Sequence, residues 1–175
     1  FFALKGTRND GHRFITELYK SGVRNFVVDH LPQNVESYQY ANFIVVENTL
    51  KALHQLVSWH RQKMTMPVVG ITGSNGKTIV KEWACKCLAP EKLIARNPKS
   101  YNSQIGVPLS VWLLQPDNNL GIFEAGISQP GEMDALENII RPDIGIFTNI
   151  GDAHQENFTS IEQKLTEKLK LFRNA

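Results

Sequence analysis

Lys77 and Thr78 follow a glycine-spaced turn, Gly73-Ser74-Asn75-Gly76, which itself follows the apolar run Val68, Val69 and Ile71. A strand, a glycine-rich turn and then Lys-Thr at a helix start make an arrangement that cradles a polyphosphate. Glycines let backbone N–H groups converge, and the helix N-terminus adds positive potential. The lysine reaches the β- and γ-phosphates, and the threonine hydroxyl can ligate Mg²⁺. The strict pattern G-x-x-x-x-G-K-[ST] would put its first glycine at position 71, where this chain has Ile71; glycines fall at Gly70, Gly73 and Gly76 instead. An ordinary glycine-rich turn would leave Lys77 without a task, so phosphate binding is the expectation.

Other chemistry-bearing residues follow apolar runs. Glu124 ends Leu120–Phe123 and precedes Ala125-Gly126. A carboxylate at the carboxyl end of a strand can hold Mg²⁺, directly or through water, or can simply cap a turn. After Asp143–Thr148 comes Asn149-Ile150-Gly151-Asp152-Ala153-His154. His154 either meets a metal or substrate or is a solvated loop histidine. Asn149-x-x-Asp152 is superficially like the base-reading N-K-x-D motif, but Ile150 stands where the lysine is needed, so that reading is set aside. Tyr101, Asn102, Ser103 and Gln104 lie in a polar loop that suits a polar substrate or plain solvation. His12, His30, His54 and His60 form no ligand spacing with one another.

Helical spacing adds two expectations. Along 77–88, Val80, Trp83, Ala84, Cys87 and Leu88 form an i, i+3, i+4, i+7, i+8 stripe, so Cys87 should pack inward and Cys85 elsewhere. A lone C-x-C is poor metal spacing, and free thiols fit a reducing cytoplasm. In the last helix Lys168 falls within the stripe of Ile161, Leu165, Leu169 and Phe172, whereas Lys170 points outward. Lys168 either snorkels along that face or serves a site.

These residues need elements to position them. Phe1–Leu4 reads as a strand, His12–Lys20 as a helix stopped at Gly22, and Asn25–Asp29 and Phe43–Val46 as strands. Asn48 or Thr49 can cap a helix through Gln62 with Leu50, Leu53, Leu56 and Val57 inward. Residues 63–67 read as a boundary. Beyond it, strand 67–72, helix 77–88, strand 93–95, helix 105–114, strand 120–125, helix 131–140, strand 143–148 and helix 160–172 alternate. That alternation predicts an α/β class with a parallel sheet and ligands at the carboxyl ends of its strands. The expected organisation is a small α/β domain at 1–63 and a parallel-sheet phosphate-loop domain at 64–175.

Composition sets bounds. The 175 residues are 42% hydrophobic and 21% charged with a net charge of +2, ordinary for a globular protein. Nothing in that balance argues for a nucleic-acid or membrane surface. No apolar run approaches the roughly 20 residues of a bilayer span. Phe1-Phe2-Ala3-Leu4 starts mid-pattern without a basic leader, which suggests a chain cut from something longer.

Taken together, these motifs resemble the Mur ligases, the ATP-dependent amide ligases of peptidoglycan assembly. Phe1-Phe2-Ala3-Leu4-Lys5-Gly6 with Asp10-Gly11-His12 is similar to the substrate-binding N-terminal domain of the MurF branch, which joins D-Ala-D-Ala to UDP-MurNAc-tripeptide. Thr72–Thr78, Tyr101–Pro108, Glu124-Ala125-Gly126 and Thr148–His154 resemble the motifs of the central ATPase domain, whose glycine spacing departs from the strict phosphate loop in this same way. The resemblance implies that Gly73, Ser74, Asn75, Gly76, Lys77 and Thr78 bind ATP. It also implies that Thr78, Glu124 and His154 ligate Mg²⁺, and that Lys168 is carbamylated and offers a carboxylate to a second Mg²⁺. Asn102, Ser103 and His12 would face the substrate. Lys77, Glu124, His154 and Lys168 would carry the catalysis, which runs through an acyl phosphate. Some stretches are also similar to the form fused to alanine racemase. The resemblance further implies that parts of both domains, and a C-terminal domain that delivers the amine, lie outside these residues. The fragment alone is then expected not to ligate, and its sheet to stop at an exposed edge. Two alternatives stay open: a folylpolyglutamate or cyanophycin synthetase type of ligase, against which residues 1–12 argue, and a nucleotide-binding fragment without turnover.

Overall fold

The computed structural model describes residues 1–6, 9–151 and 157–175. The chain forms two compact units, Phe1–Gln55 and Leu56–Ala175, with the division inside helix α2. Among the described residues no helix is long and apolar enough to cross a membrane.

The first unit is built on a parallel pair, β1 (Asn25–Val28) and β2 (Asn42–Val45), in register Asn25↔Asn42 to Val28↔Val45. Phe2 makes only an isolated bridge to Val27, so the expected first strand is one extended contact. A 3₁₀ turn at Gly11–Phe14 runs into α1 (Ile15–Lys20). Gly11 is required there, because a Cβ would lie 2.8 Å from Leu4 N. Gly22, with φ of +100°, stops the helix as its conformational freedom predicts. Ala3, Ile15, Phe26 and Val28 form the core, with Tyr19, Tyr38 and Phe43 packed on it. α2 (Thr49–Gln62) is capped by Asn48, whose side chain accepts from Lys51 N at 2.9 Å. Leu53 and Val57 are buried, but Leu56 is exposed, a correction to the inward stripe.

The second unit has a four-stranded parallel sheet in the order β4-β5-β3-β6, with β3 at Val68–Thr72, β4 at Ile94–Arg96, β5 at Leu120–Glu124 and β6 at Ile144–Phe147. β3 and β5 are buried along their whole length, as their apolar runs require, each ending on a buried polar residue, Thr72 and Glu124. β6 lies at an edge with Ile144 exposed. The helices are α3 (Lys77–Leu88), α4 (Gly106–Val111), α5 (Glu132–Ile140) and α6 (Ile161–Leu169), the last followed by a 3₁₀ turn at Lys170–Phe172. Arg61 ties α2 to the end of α5, donating from Nε to Ile140 O at 2.9 Å and from Nη2 to Arg141 O at 3.0 Å.

Two helix phases differ from the expectation. On α3 the buried residues are Lys81 and Cys85, while Cys87 and Leu88 are exposed and Trp83 is 68% exposed. The inward face centres on Lys81 because its ammonium is caged, donating to Asn97 O at 2.9 Å and to Lys99 O. A lysine counts as polar in a periodicity reading, so the stripe was placed one step around the helix. On α6 the buried face is Lys164, Glu167 and Lys168, and Ile161 and Leu169 are exposed. Lys168 does point inward, on a charged face. Lys170, expected outward, is partly covered and pairs with Asp134 and Glu167, both at 2.7 Å.

Asn97, just past β4, is fully buried and clasps β5: its Oδ1 accepts from Glu124 N at 2.6 Å and its Nδ2 donates to Glu124 O at 3.3 Å. The side chain thus continues the β4–β5 ladder by one step and fixes the backbone of Glu124. Asn97→Ala should destabilise the second unit by about 1–3 kcal/mol for each buried group left without a partner, read from urea denaturation; unchanged stability would show the clasp to be dispensable. A thiol reagent supplies a second check. Burial pushes the Cys85 thiol up, against the pull of Arg96, so only Cys87 should react in the native chain and Cys85 only after unfolding.

Candidate phosphate and metal site

β3 delivers Thr72 to the carboxyl edge of the sheet, and the chain turns through Gly73–Gly76 into α3. Two glycines of the turn hold left-handed backbone, Gly73 at φ +143° and Gly76 at +80°. At Gly73 a side chain is excluded twice over, since a Cβ would overlap Thr148 Oγ1 and lie 3.0 Å from Asn149 N. The turn is interlocked with the segment after β6. Ser74 N donates to Asn149 O at 2.9 Å, Asn75 N donates to Asn149 Oδ1 at 3.0 Å, and Thr148 Oγ1 donates to Asn75 O at 2.6 Å. Asn149, to which the sequence analysis assigned no role of its own, is therefore a brace for the loop.

Lysines converge on this turn. Lys77 Nζ donates to Gly73 O at 2.9 Å and Ser74 O at 3.2 Å, Lys168 Nζ donates to Gly73 O at 3.1 Å, and Lys164 Nζ donates to Gly151 O. Lys168 and Lys164 are nearly or wholly buried. Burial lowers the Lys77 ammonium, partly offset by Glu124. Burial pulls Lys168 down to about 8, and the neighbouring charges of Lys77 and Lys164 pull in the same direction. Mutual repulsion among ammonium groups in a half-dry site is what a polyanion relieves. Lys164, four residues before Lys168 and so beside it on α6, was not singled out in the sequence because periodicity follows apolar residues.

Glu124 is fully buried at the end of β5. Its Oε1 accepts from Thr78 Oγ1 at 3.1 Å and from Asn102 Nδ2 at 3.3 Å, while Oε2 is buried with no hydrogen-bond partner among the described residues. A buried carboxylate oxygen in that position costs free energy unless something positive meets it. Thr78 hydroxyl and Glu124 carboxylate are hard oxygen donors of the kind Mg²⁺ prefers, so these residues fit such an ion.

A cavity of about 390 Å³ opens beside them, lined by Ser74, Lys77, Asn102, Glu132 and Lys168 among others. Asn102 also accepts from Gly126 N through its backbone oxygen at 2.7 Å, and a Cβ at Gly126 would press on the Asn102 side chain. Ser103 lines the cavity too, and its Oγ accepts from Gly106 N at 3.2 Å at the start of α4. The structure therefore brings together Lys77, Thr78, Asn102, Ser103, Glu124 and Lys168 from separate stretches of sequence. His154 lies outside the described residues. His12 belongs to the first unit, where its Nδ1 bonds Asp10 Oδ1 at 2.7 Å and its Nε2 faces Asp29 Oδ1 at 3.1 Å. His30 stacks on it with ring centroids 4.2 Å apart. The histidines show no ligand spacing along the sequence, yet β1 brings Asp29-His30 beside His12 in a way no sequence spacing displays.

Comparison with known proteins agrees with this geometry. Residues 71–175 match the Mur ligase middle domain. The UDP-N-acetylmuramoyl-tripeptide–D-alanyl-D-alanine ligase of Bacillus subtilis (strain 168) is 34% identical over 172 residues, covering 98% of this chain and 37% of the relative. The ligase of that name from Escherichia coli (strain K12) is 31% identical over 98% of this chain and 37% of its own length. Among solved structures, MurF from Acinetobacter baumannii superposes with a TM-score of 0.91 at 28% identity, over 99% of this chain and 38% of that one. MurF ligase from Thermotoga maritima in complex with ADP does so at 0.89 and 29% identity, over 100% and 40%. The chain thus spans about two-fifths or less of the length of these relatives. With its phosphate loop, its buried strand-end carboxylate and the matched residues 71–175 all in one sheet, the chain belongs to the Mur ligase family.

Proposed function

We propose that this chain is the nucleotide-handling part of a MurF-type ligase, which joins D-Ala-D-Ala to UDP-MurNAc-tripeptide at the expense of ATP. The observation that carries the reading is Glu124, whose buried Oε2 has no hydrogen-bond partner among the described residues and lies on the carboxylate that Thr78 and Asn102 already orient. The likeness to relatives of that name runs over 98% of the chain, residues of the first unit included, which disfavours another ligase built on the same core. The ADP complex of the Thermotoga maritima relative supports a nucleotide. Free Cys85 and Cys87 agree with a cytoplasmic setting, where ATP is supplied.

The mechanism follows from the residues in place. Lys77, released from the carbonyls of Gly73 and Ser74, meets the β- and γ-phosphates, while backbone N–H groups of the turn and the start of α3 hold the rest of the polyphosphate. Thr78 and Glu124 would hold Mg²⁺, and such an ion would supply charge neutralisation at the phosphate oxygens. The terminal carboxylate of the tripeptide attacks the γ-phosphorus, the bond to the bridging oxygen of ADP breaks, and an acyl phosphate forms. The amine of D-Ala-D-Ala then attacks the acyl carbon, phosphate leaves, and the amine loses a proton as the amide forms. Asn102, bonded to Glu124, and Ser103 line the cavity and are the polar groups it offers to the tripeptide carboxylate. His154 is assigned to a second metal contact by resemblance alone.

Lys168 is the remaining member. With its ordinary value pulled down to about 8, a useful fraction is neutral near physiological pH. Its amine then attacks CO₂, releases a proton and becomes a carbamate, which turns a cation beside Lys77 into an anion that can hold metal.

Three measurements test the proposal. Lys77→Ala should weaken binding of ADP or a non-hydrolysable ATP analogue by about ten- to a hundredfold, the equivalent of losing a charged hydrogen bond, with an unchanged circular dichroism spectrum. In the complete protein encoded by the gene, phosphate release should require both UDP-MurNAc-tripeptide and D-Ala-D-Ala. Release with glutamate or another amine donor in place of D-Ala-D-Ala would overturn the MurF assignment. For Lys168, the sign is set by the ammonium: protonated below about 8, it cannot attack CO₂, so carbamate should grow as pH rises through that value. A ¹³C signal from labelled CO₂, held at constant dissolved concentration, should show that rise and should vanish in Lys168→Arg.

A further inference from the structure

The first unit holds a second constellation that the ligase chemistry does not use. His12, Asp29 and His30 place one donor atom each within 4.8 Å of one another. The local sequence accounts for this. Gly11 lets the chain turn tightly against Ala3-Leu4, Asp10 accepts from His12 N at 3.0 Å to start the 3₁₀ turn, and β1 ends at Val28 so that Asp29-His30 emerge beside it.

Hydrogen bonding assigns the state of His12. Asp10 Oδ1 at 2.7 Å is a carboxylate and can only accept, so His12 Nδ1 carries the hydrogen. The Asp29 amide can only donate, and it points at His12 Nε2 at 3.3 Å, so that nitrogen presents its lone pair. Yet Nε2 also faces Asp29 Oδ1 at 3.1 Å, one acceptor against another. His30 Nδ1 is directed at that same oxygen. Lys5 lies 3.0 Å from the other oxygen, Oδ2, so it does not separate the pair. The stacked imidazoles would repel if both were charged. What reconciles a lone pair, a carboxylate oxygen and a second imidazole nitrogen is one cation among them.

We infer that His12 Nε2, His30 Nδ1 and Asp29 Oδ1 form a binding site for a zinc-class divalent metal. Two imidazoles and a carboxylate are the ligand set of three-residue zinc sites, which leave a fourth position open. Asp10 on the far nitrogen of His12 is the outer partner that metal-bound histidines characteristically have, fixing tautomer and ring orientation. The open position faces a polar cavity of about 440 Å³, lined by His12, His30, Thr16, Asn34, Ser37 and Tyr38, and takes water or an anionic oxygen. Tetrahedral zinc wants its donors about 3.4 Å apart. His30, whose side chain is 57% exposed, is free to swing into that spacing, and the long amide contact to His12 Nε2 is exchanged for the metal. This site is independent of the nucleotide reading, since every ligand lies within Phe1–Gln55.

The test uses the 175-residue chain with Zn²⁺ and Co²⁺ at neutral pH and excess Mg²⁺ to cover Glu124. We expect one Zn²⁺ per chain, intense visible absorption from tetrahedral Co²⁺, and a metal-induced shift of His12 Nε2 in ¹⁵N spectra while Nδ1 stays protonated. His30→Ala should weaken Zn²⁺ at least tenfold without loss of fold, Asp29→Asn should do likewise, and Glu124→Gln should leave the affinity alone. Undiminished binding in His30→Ala overturns the site. So does an absence of binding with His12 and His30 following simple protonation curves, which would make the cation a proton.

Discussion

The second unit depends on keeping one carboxylate buried. Glu124 has no exposure to water, and an ionised carboxyl there is tolerable only if its surroundings compensate it. The chain meets that requirement from several sides at once. Asn97 grips the backbone on both edges of the residue, Thr78 and Asn102 occupy one side-chain oxygen, and Lys77 contributes positive potential. Because those partners come from α3 and from the single connection between β4 and α4, positioning one carboxylate effectively specifies how two crossovers pack on the sheet.

Lysines serve as internal fasteners in the same unit. Lys81, Lys164 and Lys168 are all buried, and each donates to backbone carbonyl oxygens, Lys81 pairing with Glu82 at 3.4 Å as well. Carbonyl partners leave the net positive charge in place while satisfying the donors. The result is a loop region whose field remains positive although little of the charge touches solvent, which is the electrostatic condition for holding a polyanion.

Much of this was legible in the sequence because it rests on apolar runs and glycine spacing. The run Val68–Thr72, the turn and a helix from Lys77 to Leu88 were all readable, and so was the strand that ends on Glu124. What was not legible shares a cause. Periodicity assumes that the buried face is apolar, and on α3 and α6 the buried faces carry Lys81, Lys164, Glu167 and Lys168. Cys85 and Cys87 were consequently exchanged. Asn97 gave no signal because a lone asparagine after a short strand has no pattern to announce it. His12 and His30 lie far apart along the chain and meet only through the pairing of β1 with the N-terminal segment. Lys168 alone stood out beforehand, and only as a lysine where a hydrophobe was expected.

The fit of Gly73 against Thr148 and Asn149 has a consequence for how such a chain can change over generations. A residue larger than glycine at 73 is admitted only if the segment after β6 first retreats, and that segment is also bonded to Ser74 and Asn75. The two stretches are thus held to a common inheritance. Substitutions in either should be tolerated in matched pairs or not at all, and a recombination point falling between them would join halves that no longer mesh.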